Sequence, residues 1–182
     1  MRAFIALELP ASIRQQLISV SQQLQQYNQK YINWVEPQNL HITFQFLGDI
    51  ADAHLPDIKQ IMTEYCADLP PLSFSKPKMQ IVPASKPRII WINYQSDSAD
   101  LKKIHRKLNA EIAELGYKLD RKPLLLHVTL ARVKATLQPS LINAIMNYKI
   151  DHEKFAPDKV TLFKSILKPQ GPIYQPLFFI TL

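Results

Sequence analysis

A chain of 182 residues, 47% hydrophobic and 20% charged, has the size and composition of one globular domain, or of two small lobes sharing a core. Its single cysteine excludes a disulfide framework and points to a reducing compartment, and no apolar run approaches the roughly 18 to 20 residues that span a bilayer. The net charge of +7 and pI near 9.5 favour a polyanionic partner without requiring one, because lysine and arginine release counterions from phosphates but also serve as plain solvated surface.

Taken in chain order, Arg2 to Leu9 alternates and is rich in β-formers, the pattern of a first strand. The opening Met1 to Leu9 is too short and too alternating for a signal peptide, so a cytoplasmic location is expected. Pro10 and Ser12 introduce a helix from Ile13 to Tyr27, in which Ile13, Leu17, Val20 and Leu24 recur at helical spacing. Asn39 to Leu47 reads as a second strand and Asp52 to Cys66 as a second helix. Cys66 has no neighbour there that would activate it and is read as a buried structural thiol. Two β-like stretches, Leu72 to Val82 and Arg88 to Tyr94, are separated by Pro83 and Pro87. A helix from Asp97 to Leu115 ends at Gly116. Leu124 to Val133 is a strand and Leu137 to Asn147 a short helix. Lys159 to Leu167 and Tyr174 to Leu182 close the chain as strands around Pro169, Gly171 and Pro172. This mixture, with hairpin-like neighbours, predicts an α+β fold with largely antiparallel sheets.

One pattern repeats. Pro37-Gln-Asn-Leu-His41-Ile-Thr43-Phe returns 86 residues later as Pro123-Leu-Leu-Leu-His127-Val-Thr129-Leu. A long motif recurring once at a large offset suggests duplicated halves related by a pseudo-two-fold axis, facing each other across a cleft. Successive side chains of a strand point to opposite faces, so His41, Thr43 and Gln45 share one face and Leu40, Ile42, Phe44 and Phe46 the other. His127 and Thr129 are likewise opposed to Leu126, Val128 and Leu130. A lone strand histidine is usually structural. Two His-x-Thr pairs in a chain with 5 histidines arise by chance only about once in a hundred such chains, and the shared proline–leucine context makes them rarer still.

Histidine exchanges protons near neutral pH, with an unperturbed pKa of about 6.5. Two opposed imidazoles can act as general base and general acid in one displacement at phosphorus, with threonine hydroxyls donating to the non-bridging oxygens. Rival chemistries lack their residues. There is no His-Glu-x-x-His or Cys-x-x-Cys, no glycine-rich phosphate loop and no Gly-x-Ser-x-Gly elbow. His54, His105 and His152 lie in polar stretches and are expected to be solvated.

At these residues the chain resembles the 2H phosphoesterase superfamily, which carries two His-h-Thr-h motifs (h apolar). Within it the resemblance is to the bacterial and archaeal RNA 2′,3′-cyclic phosphodiesterases, also called 2′-5′ RNA ligases. Met-Arg-Ala-Phe-Ile-Ala at the start, Asn-Leu-His41-Ile-Thr43-Phe-Gln-Phe-Leu-Gly, His127-Val-Thr129-Leu-Ala-Arg132-Val and Gly-Pro-Ile-Tyr near the end carry it. It implies one bilobal domain over residues 1–182, with two pseudo-symmetric lobes of antiparallel sheet and outer helices around a central cleft. The implied reaction converts a 2′,3′-cyclic phosphate to a 2′-phosphomonoester without metal or other cofactor, and a weak reverse reaction forms 2′-5′ linkages. RNA ends, or nucleotides carrying that cyclic phosphate, are the implied partners, and a monomer is expected. His41, Thr43, His127, Thr129 and Arg132 match the family's functional positions. By analogy His41 is the acid on the leaving O3′ and His127 the base on water, an assignment the sequence itself leaves open. Leu126 departs from the family, which often has proline or another non-aliphatic residue there.

Phe46 and Arg132 stand five residues beyond each histidine, an offset that in an ideal strand points away from the histidine's face. If Arg132 reaches the site, its strand bends, bulges or ends first. Under the repeat, Phe46 does the same, and the pair would clamp an unstacked terminal base. Two alternatives stay open. One is a 2H phosphoesterase acting on another phosphodiester, such as 2′-5′ oligoadenylate, with choice made by loops 50–55 and 83–88. The other is a non-catalytic RNA-binding module using the basic stretch Lys102-Lys103-Ile-His-Arg106-Lys107, which on a helix also suits a plain solvated face.

Overall fold

The computed structural model describes every residue except 68, 70, 71, 120, 121, 152, 153 and 170. Its strands are β1 (Arg2–Glu8), β2 (Ile32–Trp34), β3 (His41–Asp49), β4 (Phe74–Val82), β5 (Ile89–Ser96), β6 (His127–Val133), β7 (Lys159–Lys168) and β8 (Gly171–Thr181). The helices are α1 (Ala11–Gln25), α2 (Leu55–Cys66), α3 (Asp100–Glu114) and α4 (Pro139–Asn147). Each helix presents one apolar stripe. Ile13, Leu17, Val20 and Leu24 are buried on α1, and Leu101, Leu108 and Ile112 on α3, the spacing that sets a helix against a sheet. Cys66 ends α2 in the core, where burial pushes its thiol up to about 12. No helix among the described residues is long and apolar enough to cross a membrane.

The strands form one antiparallel sheet in the order β4-β5-β6-β3-β1-β7-β8, with β2 also laid along β6. Central β3 and β6 carry the two motifs and are joined through the single pairing Ile42–Val128. These residues each follow a motif histidine, so the pseudo-two-fold axis passes between them. Either side of it the register repeats. Leu7 faces Ile42 as Ile92 faces Val128, and Ile5 faces Gln45 as Ile90 faces Ala131. Both halves slip by one residue at the same place, at Phe44 in β3 and at Leu130 in β6. One hydrophobic core on the helical face takes residues from both halves, including Ile5, Ile42, Ile90 and Val128.

Most elements stand within two residues of where the sequence places them. Helices α2 and α3 begin three residues later, at Leu55 and Asp100. Strand β8 begins three residues earlier, taking in Gly171 and Pro172, which the sequence reads as a turn. β6 begins at His127, not Leu124, although Leu126 is buried and its carbonyl accepts the Tyr94 amide. The chain at residue 126 is thus tied to β5 by a main-chain bond that does not depend on the leucine side chain. Strand β2 has no counterpart in the sequence reading; its three residues are too few for alternation to declare itself.

Candidate active site

The pairing of Ile42 with Val128 aims both residues into the core and turns His41, Thr43, His127 and Thr129 to the opposite face of the sheet. Both rings are fixed in the same way. His41 Nδ1 lies 2.7 Å from the Asn39 carbonyl and His127 Nδ1 lies 3.0 Å from the Leu125 carbonyl, each two residues earlier. A carbonyl only accepts, so each Nδ1 carries the proton and each neutral ring keeps its lone pair on Nε2. Nε2 of His41 meets the Thr43 hydroxyl at 3.1 Å.

The carbonyl that orients His41 is itself held. The Asn39 side chain is buried and donates to the Pro172 carbonyl at 2.8 Å. Arg14 Nη1, reaching from α1, lies 3.1–3.4 Å from the carbonyls of Pro37, Gln38 and Leu40. Tyr174 sets its ring edge-on to His41 at 5.4 Å, and buried Phe4 packs against both rings. The Gly-Pro-Ile-Tyr stretch thus serves His41 through the Pro172 carbonyl and the Tyr174 ring. In the second half Trp91 occupies the register position of Ala6, opposite Thr129 as Ala6 is opposite Thr43. Its ring lies 4.3 Å from that of His127, and its indole N–H donates to Gln80. Sequence reasoning missed these supports. Asn39 and Tyr174 sit inside quoted motifs without a role, whereas Arg14 and Trp91 leave no local signal.

The slips at Phe44 and Leu130 are β-bulges, in which two residues of one strand oppose one of its neighbour. They put consecutive side chains in the core, Phe44 with Gln45 and Leu130 with Ala131, and so reverse the alternation beyond them. Phe46 and Arg132 both come out on the face of the histidines. Phe46 is 59% exposed, with its ring 6.0 Å from that of Phe4. The charge of Arg132 is felt at the Tyr174 hydroxyl, countering the burial that raises it.

Two expectations need correction. Gln45 does not share the face of His41 and Thr43. The bulge turns it into the helical side, where its Oε1 accepts the Asn109 amide at 2.8 Å and lies 2.9 Å from His105 Nε2. His105 is not solvated: it is 5% exposed, its ring packs on Phe44, and it bonds the Phe44 backbone at the bulge. A buried histidine in a run of lysines is hidden by the charge of its neighbours. His54 is half-buried against the Tyr117 hydroxyl at 2.7 Å rather than free in solvent, and His152 lies outside the described residues.

A family model described as LigT like Phosphoesterase matches residues 7–91 and again 95–174, one match to each half. The chain belongs to the LigT-like phosphoesterase family. The RNA 2′,3′-cyclic phosphodiesterase of Methanocaldococcus jannaschii is 30% identical over 96% of this chain and 97% of its own length. That of Archaeoglobus fulgidus is 31% identical over 97% and 98%. Among solved structures, TT0787 of Thermus thermophilus superposes with a TM-score of 0.80 at 24% identity, covering 100% of this chain and 98% of its own. E. coli LigT does so at 0.75 and 22%, covering 100% and 97%. These two show a shared fold.

In this LigT-like phosphoesterase the two histidines differ electrically. Burial lowers His41 to about 4, opposed by the Asn39 carbonyl and reinforced by the nearby positive groups His127 and Arg14. Burial also lowers His127, opposed by the Leu125 carbonyl. Each neutral ring can take a proton at Nε2. For either to give one, an anion must first make protonation favourable.

Proposed function

We propose that this phosphoesterase hydrolyses the 2′,3′-cyclic phosphate at the end of an RNA to a 2′-phosphomonoester, with His127 as base and His41 as acid. The observation that carries this reading is the equivalence of the two His–Thr pairs about the Ile42–Val128 pairing, each ring presenting Nε2 from an anchored Nδ1. Two proton-transfer groups on one face suit a displacement in which one ester oxygen arrives as another leaves. The names of the archaeal relatives support the cyclic phosphate as substrate.

In this scheme the anionic phosphodiester enters the cleft and raises His41, which takes a proton at Nε2. The Thr43 hydroxyl, no longer needed as a donor to that atom, turns its hydrogen to a non-bridging oxygen, as Thr129 does from the other motif. His127 Nε2 removes a proton from water as its oxygen bonds phosphorus. The P–O3′ bond breaks, O3′ takes the His41 proton, and the phosphate stays on O2′. Loss of the His127 proton to solvent restores the pair, His41 staying neutral until the next anionic substrate binds. Weak 2′-5′ ligation would use the same displacement with the 5′-hydroxyl of a second RNA end replacing water at phosphorus, O3′ leaving and the phosphate staying on O2′. Arg132 supplies charge near the phosphate and, with Phe46, a clamp for the terminal base.

The test is incubation with a 2′,3′-cyclic nucleotide in the presence of chelator, followed by chromatography, with 2′-5′ oligoadenylate in parallel. Conversion of the cyclic nucleotide alone supports the proposal. Conversion of the oligoadenylate alone moves the substrate to another phosphodiester, and conversion of neither leaves a non-catalytic RNA-binding module. Strict dependence on added divalent metal would overturn the two-histidine scheme.

A further inference from the structure

The pseudo-two-fold axis gives each motif the same neighbouring positions, and the side chains at those positions differ. In the first half the residues opposite His41 and Thr43 on β1 are Glu8 and Ala6. In the second half those opposite His127 and Thr129 on β5 are Asn93 and Trp91. Directly opposed residues of an antiparallel pair share a face, so all four lie on the face of the histidines. One strand further out, Thr161 stands opposite Ala6, while Lys78 and Gln80 stand opposite Asn93 and Trp91. The alternate residues Met79, Ile81, Ile90 and Ile92 are buried in the core, which fixes this facing.

The two surfaces differ in charge and in cover. Beside His41, the Glu8 carboxylate accepts the Thr161 hydroxyl, and the β7–β8 hairpin brings Pro172 against Asn39 and Tyr174 against His41. Beside His127 the row of Asn93 and Lys78 runs straight out to β4, the edge of the sheet. Lys78 is exposed, and Asn93 and Trp91 are half-buried. Gln80 holds the Trp91 indole at 3.1 Å. Lys78 makes no ion pair among the described residues, and Asp97, just past the end of β5, is taken by Lys154 at 2.7 Å.

Displacement at phosphorus places the entering and leaving oxygens on opposite sides. His41 as the acid marks the side of O3′, and therefore of the ribose that carries it. His127 as the base marks the side from which water enters, and Trp91, Asn93 and Lys78 lie on that side. Water needs neither an aromatic ring nor a distant cation. A fixed indole, followed by an ammonium two strand spacings (about 10 Å) from the strand of His127, suits a nucleoside whose base stacks and whose next phosphate is paired.

We propose that this face of β5 and β4 is an acceptor subsite, binding a second RNA end with a free 5′-hydroxyl in the place otherwise open to water. The proposal rests on the roles given to the two histidines above. The first acceptor base stacks on Trp91, and the phosphate that follows it pairs with Lys78. The 5′-hydroxyl gives its proton to His127 Nε2 as its oxygen bonds phosphorus. The P–O3′ bond breaks, O3′ takes the His41 proton, and a 2′-5′ linkage results.

The chain has two tryptophans, and Trp34 packs against the core, so Trp34→Phe leaves the fluorescence of Trp91 as the probe. An RNA of about five residues with hydroxyls at both ends should quench it. Lys78→Glu in that background should raise the Kd of this RNA at least about fivefold at low salt and lower the slope of log Kd against log salt by about one. Lys78→Gln, with melting checked, should move Kd in the same direction by less. In Lys78→Glu, KM for a 2′,3′-cyclic mononucleotide and for an RNA of about three residues with the same end should both stay within about twofold. Absence of quenching, or an unchanged Kd in both variants, overturns the subsite. A KM that rises for the longer donor alone assigns the surface to the upstream strand and overturns it too. An equal rise for both donors, which would mean action through the fold, does the same. If wild type turns over neither donor, the reading of the histidines fails and the acceptor role falls with it, whereas quenching and Kd report separately whether this face binds RNA.

Discussion

At His41, burial and a hydrogen bond pull in opposite directions, and their balance has a measurable sign. The ring is lowered from 6.5 to about 4 in the free protein, so near neutral pH it is unprotonated, whereas an acid on O3′ must hold a proton. Under the scheme proposed here, binding a nucleotide 2′-phosphate near pH 7 takes up about one proton per site, read as dependence of calorimetric binding heat on buffer ionisation enthalpy. His41→Asn should abolish that uptake; undiminished uptake in the variant would assign it elsewhere. The same shift enters stability. A ring titrating near 6.5 unfolded and near 4 folded binds more protons in the unfolded chain, so its contribution is present above about pH 6.5 and lost as pH falls towards 4. His41→Asn should therefore flatten acid destabilisation across that window, which urea midpoints at several pH values would reveal. Asn39 positions His41 without touching substrate. Asn39→Leu should lower kcat by about tenfold or more with little change in KM, because it releases the carbonyl that fixes Nδ1; an effect on KM alone would deny that role.

At the scale of elements, the paired bulges decide which side chains share the face of the histidines. The sequence makes the alternation of His41, Thr43 and His127, Thr129 legible, and their face is observed as read. It hides the bulges, because an inserted residue leaves no mark in a run where Phe44 and Gln45, or Leu130 and Ala131, are all compatible with a strand. Strict alternation misplaces Gln45 for that reason, while the repeat combined with the family's arginine places Phe46 and Arg132. Phe46→Ala should raise KM for nucleotide substrates by about fivefold to a hundredfold, the worth of one base–aromatic stack, with kcat and melting nearly kept; unchanged KM would remove Phe46 from the clamp. His105→Leu takes away the side chain at the Phe44 backbone and leaves Gln45 less satisfied. A loss of about 1–3 kcal/mol in stability is expected, with a rise in KM that follows Phe46. Equal stability in the variant would show that the bulge holds itself.

For the whole molecule, duplication explains both what can be read early and what cannot. Matched motifs at 41 and 127 announce two halves, and their helices and strands follow hydrophobic period with little ambiguity. The joining of both halves into one sheet through Ile42 and Val128 depends on a contact between distant segments that no local pattern encodes. Proton transfer at two equivalent Nε2 atoms is the central claim, and the direct measurement is kcat on a 2′,3′-cyclic-phosphate-ended RNA, with chelator, for wild type, His41→Ala and His127→Ala. Wild type should turn the substrate over to the 2′-phosphate, and each single variant should lose about 10²- to 10⁴-fold, with the double variant little worse than either. Near wild-type turnover in either variant, or a 3′-phosphate as the main product, would contradict the two-histidine mechanism.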